Sequence, residues 1–257
     1  MFPTRKAETF HMTTPGLDAP VLVRRSARAR RLSLTVNEAR RGAVLTVPGY
    51  TSLEEAGNFL AQHFEWLQKR LAALPRPVPF ADGGVVPLRG RGHVLRFTPN
   101  GRQRGVVWIE NPAGAGERAG AEETALPVIC VAGAHEHAPR RLKDWLKRQA
   151  REDLARHCAA HAATLDVKPK RIAIRDQSSR WGSCSATGVL SFSWRLILAP
   201  GRILDYLAAH EVAHLLEMNH GPRFWAHVRK TCATMDEAKS WLKKNGSGLH
   251  RYGAPDA

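Results

Sequence analysis

The chain has 257 residues, 43% of them hydrophobic, enough to bury a core without help from disulfides or repeats. Its 39 Lys and Arg against 23 Asp and Glu give a net charge of +16, which points towards an anionic partner such as nucleic acid and away from an acidic, solvating chain. No run of about 18 apolar residues is present, no leader-like apolar segment follows Met1, and Cys130, Cys158, Cys184 and Cys232 form no CxxC pair, so a membrane-spanning helix and a disulfide scaffold are excluded and a cytoplasmic protein with reduced thiols is expected.

Residues 1–19 are polar and carry Pro3, Pro15 and Gly16, the composition of a loose tail. Val21-Leu22-Val23 begins a strand, and Leu32, Leu34 and Val36 alternate with polar residues as a half-buried strand does. Arg40-Arg41-Gly42 marks a turn into Val44–Val47. Ser52-Leu53-Glu54-Glu55 is a capping box and predicts one helix from Leu53 to Ala73, ended by Pro75, Pro77 and Pro79. Short strands are expected at Val85–Leu88, His93–Phe97, Val106–Ile109 and Leu126–Val131, with residues 111–123 an exposed loop.

Pro139 opens a long helix to about Thr164, with Leu142, Leu146, Ala150, Leu154, Cys158 and Ala162 as one buried stripe. Its other faces carry Arg140, Arg141, Lys143, Lys147, Arg148, Arg151 and Arg156, more cations than solubility requires, so an anion-facing surface is expected. Strands follow at Lys170–Arg175 and Val189–Trp194, on either side of Arg180–Ser185. An apolar run from Ile203 to Leu216 predicts a buried helix, and two further helices follow, from Pro222 to about Cys232 and from about Asp236 to Lys244. The end of the chain, 246–257, again has the composition of a loose tail.

The chemistry concentrates on the buried helix. His210 and His214 stand four apart in His210-Glu211-Val212-Ala213-His214, so on a helix both imidazoles point the same way and can share one metal ion. His-Glu-x-x-His on a helix is the motif of a zinc hydrolase, and Glu211 stands where a carboxylate reaches a water as general base without ligating the metal. A third ligand requires the chain to turn back, because each further helical turn adds about 5.4 Å of rise. His220 is the residue expected there, with Glu217 as the alternative. Glu217 stands where the metzincin spacing has Gly, so the turn is expected to come later, at Asn219, which tolerates a left-handed backbone.

Other histidines and cysteines carry weaker signals. His157 and His161 also stand four apart but lack an intervening carboxylate and a third partner, so a metal is not expected there. Cys184 has no base of its own in the sequence. Gly182 permits unusual backbone angles, and Arg180 is a fixed cation able to pair with a substrate's carboxylate or phosphate.

Arg180-Trp181-Gly182-Ser183-Cys184-Ser185, Trp194-Arg195-Leu196, His210–His214, Asn219-His220 and Phe224-Trp225 together resemble the YgjP-like metallopeptidase domain family, which is in turn similar to the SprT-like and WLM-type zinc proteases. The resemblance implies that His210, His214 and His220 bind zinc, that Glu211 is catalytic, and that the segment bearing Arg180 and Trp181 lies beside the site as substrate wall or structural turn. It also implies protein substrates, and for the SprT-like and WLM-type proteases these are DNA-bound proteins.

The fold class expected is α+β: a zincin-like catalytic region at 136–245, with helices, a small sheet and the HExxH helix, preceded by a β-rich N-terminal region with one helix at 20–135. The function expected is a zinc metallopeptidase acting on protein or peptide, with non-specific nucleic-acid binding through the basic surface and no membrane association. Two alternatives remain open at this point. A metal-dependent nucleotide phosphohydrolase would suit the charge but lacks a second carboxylate cluster for a two-metal site. A non-catalytic nucleic-acid-binding zinc module would need a fourth protein ligand, for which Cys184 and Cys232 are the candidates.

Overall fold

The computed structural model describes residues 9–12, 14–17, 19–37, 41–99, 105–111 and 125–253. The loop expected at 111–123 lies, apart from Asn111, outside them. The chain forms two compact units, Met1–Arg76 and Pro77–Ala257.

In the first unit β1 (Thr9–Met12), β2 (Val21–Ser26), β3 (Ser33–Asn37) and β4 (Gly42–Pro48) form a sheet in the order β1-β2-β4-β3. β2 and β4 run parallel, and each takes an antiparallel partner, β1 and β3 respectively. Val21, Val23, Ala43, Leu45 and Val47 alternate onto one face and close over Ala56, Leu60 and Leu67 of the helices. The tail expected at 1–19 is therefore in part structured, because Thr9–Met12 finds an open edge at β2. The capping box is present, with Glu55 N–H donating to Ser52 Oγ at 3.0 Å and Ser52 N–H to Glu55 Oε2 at 2.8 Å. The single helix expected from Leu53 to Ala73 is instead two, α1 (Leu53–Gln62) and α2 (Phe64–Ala72). They are separated by His63, whose ring Nδ1 lies 2.8 Å from the Phe59 carbonyl.

In the second unit β5 (Val85–Leu88), β6 (Arg91–Thr98), β7 (Val107–Glu110) and β8 (Val128–Ala132) form a sheet in the order β5-β6-β8-β7. Arg89 and Gly90, at φ 51° and 82°, make the two-residue hairpin turn between β5 and β6. α3 (Ala138–Leu165) crosses the unit and ends at Asp166, which takes the left-handed conformation at φ 52°. The predicted stripe is buried as expected, with Leu142, Leu146, Ala150, Leu154 and Cys158 at 0% exposure. Truncating one of these leucines to Ala would cost about 2–5 kcal/mol.

That stripe explains why the chain divides after Arg76 and not near 135. Val86, Leu88, Leu95, Ile129 and Val131 of the β5–β8 sheet share one core with α3 and with everything that follows. The sheet assigned from sequence to the N-terminal region thus lies in the second unit, since its apolar face is covered by α3.

A second, three-stranded sheet, β10 (Gly182–Cys184), β11 (Val189–Ser193) and β9 (Arg171–Arg175), has the order β10-β11-β9. α4 (Gly201–Ala213), α5 (Pro222–Thr231) and α6 (Met235–Asn245) complete the unit. The loose tail expected from 246 is also in part ordered. Ser247–Arg251 is a 3-10 turn, and buried Arg195 donates to the carbonyls of Leu249, His250 and Tyr252 at 3.3, 3.3 and 2.7 Å. The architecture is α+β, and no helix among the described residues is long and apolar enough to cross a membrane.

Candidate metal centre

α4 is buried along almost its whole length. Ile203, Leu204, Ala208, Ala209, Val212 and Ala213 are at 0% exposure, in a helix packed against α3, α5, α6 and β10. That burial fixes the direction in which His210 and Glu211 point. The helix closes earlier than the apolar run to Leu216 suggests. His214 is already its C-cap, and Leu215 and Leu216 donate three residues back, to Val212 and Ala213, in a tightened last turn.

The chain then returns without any left-handed residue. Among the described non-glycine residues, positive φ occurs at Arg41, Arg89 and Asp166, so neither Glu217 nor Asn219 makes the turn by that means. Instead the Glu217 carbonyl takes the His214 Nδ1–H at 3.0 Å, and Gly221 N–H donates to Asn219 O at 2.8 Å. Pro222 then opens α5, where its missing N–H costs nothing.

The return brings His220 to His210, with Nε2 atoms 3.1 Å apart. Ring centroids of His210, His214 and His220 lie 5.0, 5.0 and 4.8 Å from one another. Phe224, fully buried, forms a floor beneath them at 4.9, 4.5 and 4.8 Å. One ligand atom from each of the three histidines lies within 4.8 Å of the others. Glu217 is not in this group, and its side chain reaches Arg223 at 3.9 Å.

The electrostatics suit a cation. Burial first, then the neighbouring His214, His220 and Lys239, push His210 down to about 3, so its imidazole is neutral at physiological pH. His214 is lowered as well, by burial above all. Neutral imidazoles are what a metal requires. With the His214 Nδ1–H committed to Glu217 O, its Nε2 is left to face the group. His210 Nδ1 and Glu211 Oε2 are buried without hydrogen-bond partners. Such orphans cost about 1–3 kcal/mol each, and their concentration at this point marks a site shaped for something other than folding.

Glu211 is 3% exposed, and burial pushes its carboxyl up to about 8 against the opposing pull of the Arg180 guanidinium. β10 passes directly over it. A Cβ on Gly182 would lie 2.8 Å from both Cγ and Cδ of Glu211. Gly182 is thus required for space, not for the unusual backbone angles its sequence context suggests. Of the two residues before it, Arg180 is exposed, and half-buried Trp181 stacks on His250 at 5.0 Å.

The remaining candidates settle as structural. His157 and His161 both hydrogen-bond Asp205 Oδ1, at 2.9 and 3.0 Å. Neither Cys184 nor Cys232 belongs to the histidine group, and both thiols are raised, chiefly by burial. Sequence reasoning missed the particular role of Gly182. Phe224 and Trp225, read from the sequence as packing on the site, do so.

Among curated proteins none matches this chain. One solved structure with a detectable likeness is that of the metallopeptidase zymogen of Pyrococcus abyssi abylysin, 19% identical, covering 39% of this chain and 99% of that one at a TM-score of 0.34. The family described as YgjP-like, metallopeptidase domain, matches residues 30–245. That span takes in the three-stranded sheet, the histidine helix and the loop bearing His220, and the chain belongs to this family of metallopeptidase domains.

Proposed function

We propose that the protein is a zinc-dependent peptidase in which His210, His214 and His220 hold the metal and Glu211 is the general base. The observation that carries this reading is the convergence of three imidazoles, those of His210 and His214 lowered by burial, beside a buried carboxylate whose Oε2 has no hydrogen-bond partner. Three nitrogen ligands suit zinc and leave a fourth position open, whereas a structural site would be closed by a fourth protein ligand. Bound zinc supplies an acidified water and a polarised substrate carbonyl.

The chain's own residues do the rest. Glu211 takes the proton from the attacking water and returns it to the departing amine. Its burial makes it a stronger base than an exposed carboxylate, while a cation at the histidines would keep enough of it ionised. Gly182 admits the carboxylate beneath β10. β10 is an outer strand of its sheet, so an extended substrate could pair along it beside Glu211. Arg180 and Trp181, which lead into Gly182, are the residues assigned to substrate contact.

The test is incubation of the zinc-loaded protein with an unfolded protein and, in parallel, with nucleoside triphosphates. Peptide cleavage that depends on zinc, together with loss of bound zinc in His210→Ala and His214→Ala, is the expected result. Full zinc occupancy in the double variant would place the metal elsewhere, and triphosphate hydrolysis without peptide cleavage would replace this reading with the phosphohydrolase.

A further inference from the structure

We infer that Trp225 is the positioning residue of the third metal ligand, fixing His220 through its indole N–H. The inference rests on the metal reading above. His210 and His214 are carried by a buried helix and its cap, so their directions are set by packing. His220 lies outside any helix or strand and is exposed, and its backbone needs some other restraint if its imidazole is to stay on the other two.

Trp225 supplies that restraint twice from one residue. Its backbone N–H donates to Gly221 O at 3.2 Å, the first turn of α5, and its indole Nε1–H donates to His220 O at 3.1 Å. The carbonyls of His220 and Gly221 are thereby both tied to one residue in the first turn of a helix. The indole is itself fixed. Phe224 lies edge-on at 5.0 Å, and Lys239 of α6 places its ammonium 4.3 Å over the ring centroid. The same ring lies 5.8 Å from His220 and 5.9 Å from His210, so it also walls the site on that side. A partner that holds a ligand's backbone acts on metal affinity as a second layer of the site does, where losses of about 10- to 100-fold follow removal.

The experiment is competition for zinc against a chromophoric chelator, with the melting temperature of the metal-free protein measured beside it. Trp225→Phe keeps an aromatic ring and removes the donor. A benzothienylalanine at the same position keeps the bicyclic shape and exchanges the N–H for sulfur, which decides the question even where Trp225→Phe folds poorly. Zinc affinity lower by about 10- to 100-fold in both, with the metal-free melting temperature of the analogue unchanged, is expected. In a His220→Ala background the same replacements should cause no further loss, which distinguishes positioning of His220 from general loosening. Wild-type affinity in the benzothienylalanine protein, with His220→Ala still impaired, overturns the role of Trp225 and leaves the metal reading standing. Wild-type affinity in His220→Ala overturns His220 as a ligand, and the inference about Trp225 falls with it.

Discussion

Glu211 carries the highest stake of any single residue, because its carboxylate sits 3% exposed with Oε2 unpartnered. A side chain under that much desolvation is retained for what it does, since an apolar residue of similar volume would pack at no such cost. Replacement by Gln preserves shape and removes the proton acceptor. Glu211→Gln is expected to keep zinc and the fold while peptide hydrolysis drops by about 10²–10⁴, measured as kcat with zinc content determined on the same sample. Undiminished hydrolysis would take Glu211 out of the mechanism. Gly182 is the counterpart on β10. Gly182→Ala drives a methyl into the Glu211 side chain and should destabilise by about 1–3 kcal/mol in a denaturant titration. Most of that loss should vanish in a Glu211→Ala background, and equal losses in the two backgrounds would show that Gly182 answers to something else.

At the scale of elements, the 3-10 turn Ser247–Arg251 decides how Trp181 is held. Arg195 draws in its carbonyls, and His250 stacks under the Trp181 ring. Burial pushes His250 down to about 4, with the Arg195 guanidinium adding to the effect and Asp176 opposing it. The folded protein therefore resists protonating a histidine that the unfolded chain protonates near 6.5. Between these values the unfolded state binds more protons at this residue, so the contribution of His250 to stability is greatest above about pH 6.5 and falls as pH drops towards 4. The loss attributable to this residue is at most about 3 kcal/mol. His250→Phe keeps the stack and cannot take a proton. Chemical denaturation at a series of pH values should show a flatter profile for this variant across that window, and parallel profiles would remove His250 as the cause.

At the scale of the whole molecule the charge of +16 remains to be placed. The cations of α3 are less free than their number suggests. Lys143 pairs with Asp176 at 3.1 Å, Lys147 with Asp144 at 3.4 Å and Arg156 with Asp153 at 3.4 Å, while Arg141 and Arg151 donate to the carbonyls of Ala132 and Ile172. In the first unit Arg28, Arg30 and Arg31 show no such pairing among the described residues, which makes the segment between β2 and β3 the better site for an anion. Non-specific binding of nucleic acid there would release counterions and weaken steeply with salt. Titration of duplex and single-stranded DNA at two salt concentrations should show affinity at low salt that falls at high salt. It should also fall on replacing these three arginines by Ala. Absence of binding at low salt would assign the charge to another partner or to solubility.

The sequence by itself determined the helix bearing the two histidines and the buried stripe of α3, because helical period and residue spacing are local and survive any tertiary arrangement. It favoured His220 over Glu217 as the returning residue, and the fold brought His220 to the other two histidines. The tertiary structure alone decided the rest. It moved the β5–β8 sheet to the second unit, since which helix covers an apolar strand face depends on contacts far apart in the chain. It broke the helix at His63 and ordered Thr9–Met12 and Ser247–Arg251, whose polar composition hides that their backbones have partners. It also showed why residue 182 is Gly and what Trp225 grips, because a close approach between a strand and a helix side chain, or between an indole and a loop carbonyl, leaves no periodic trace in the residues that make it.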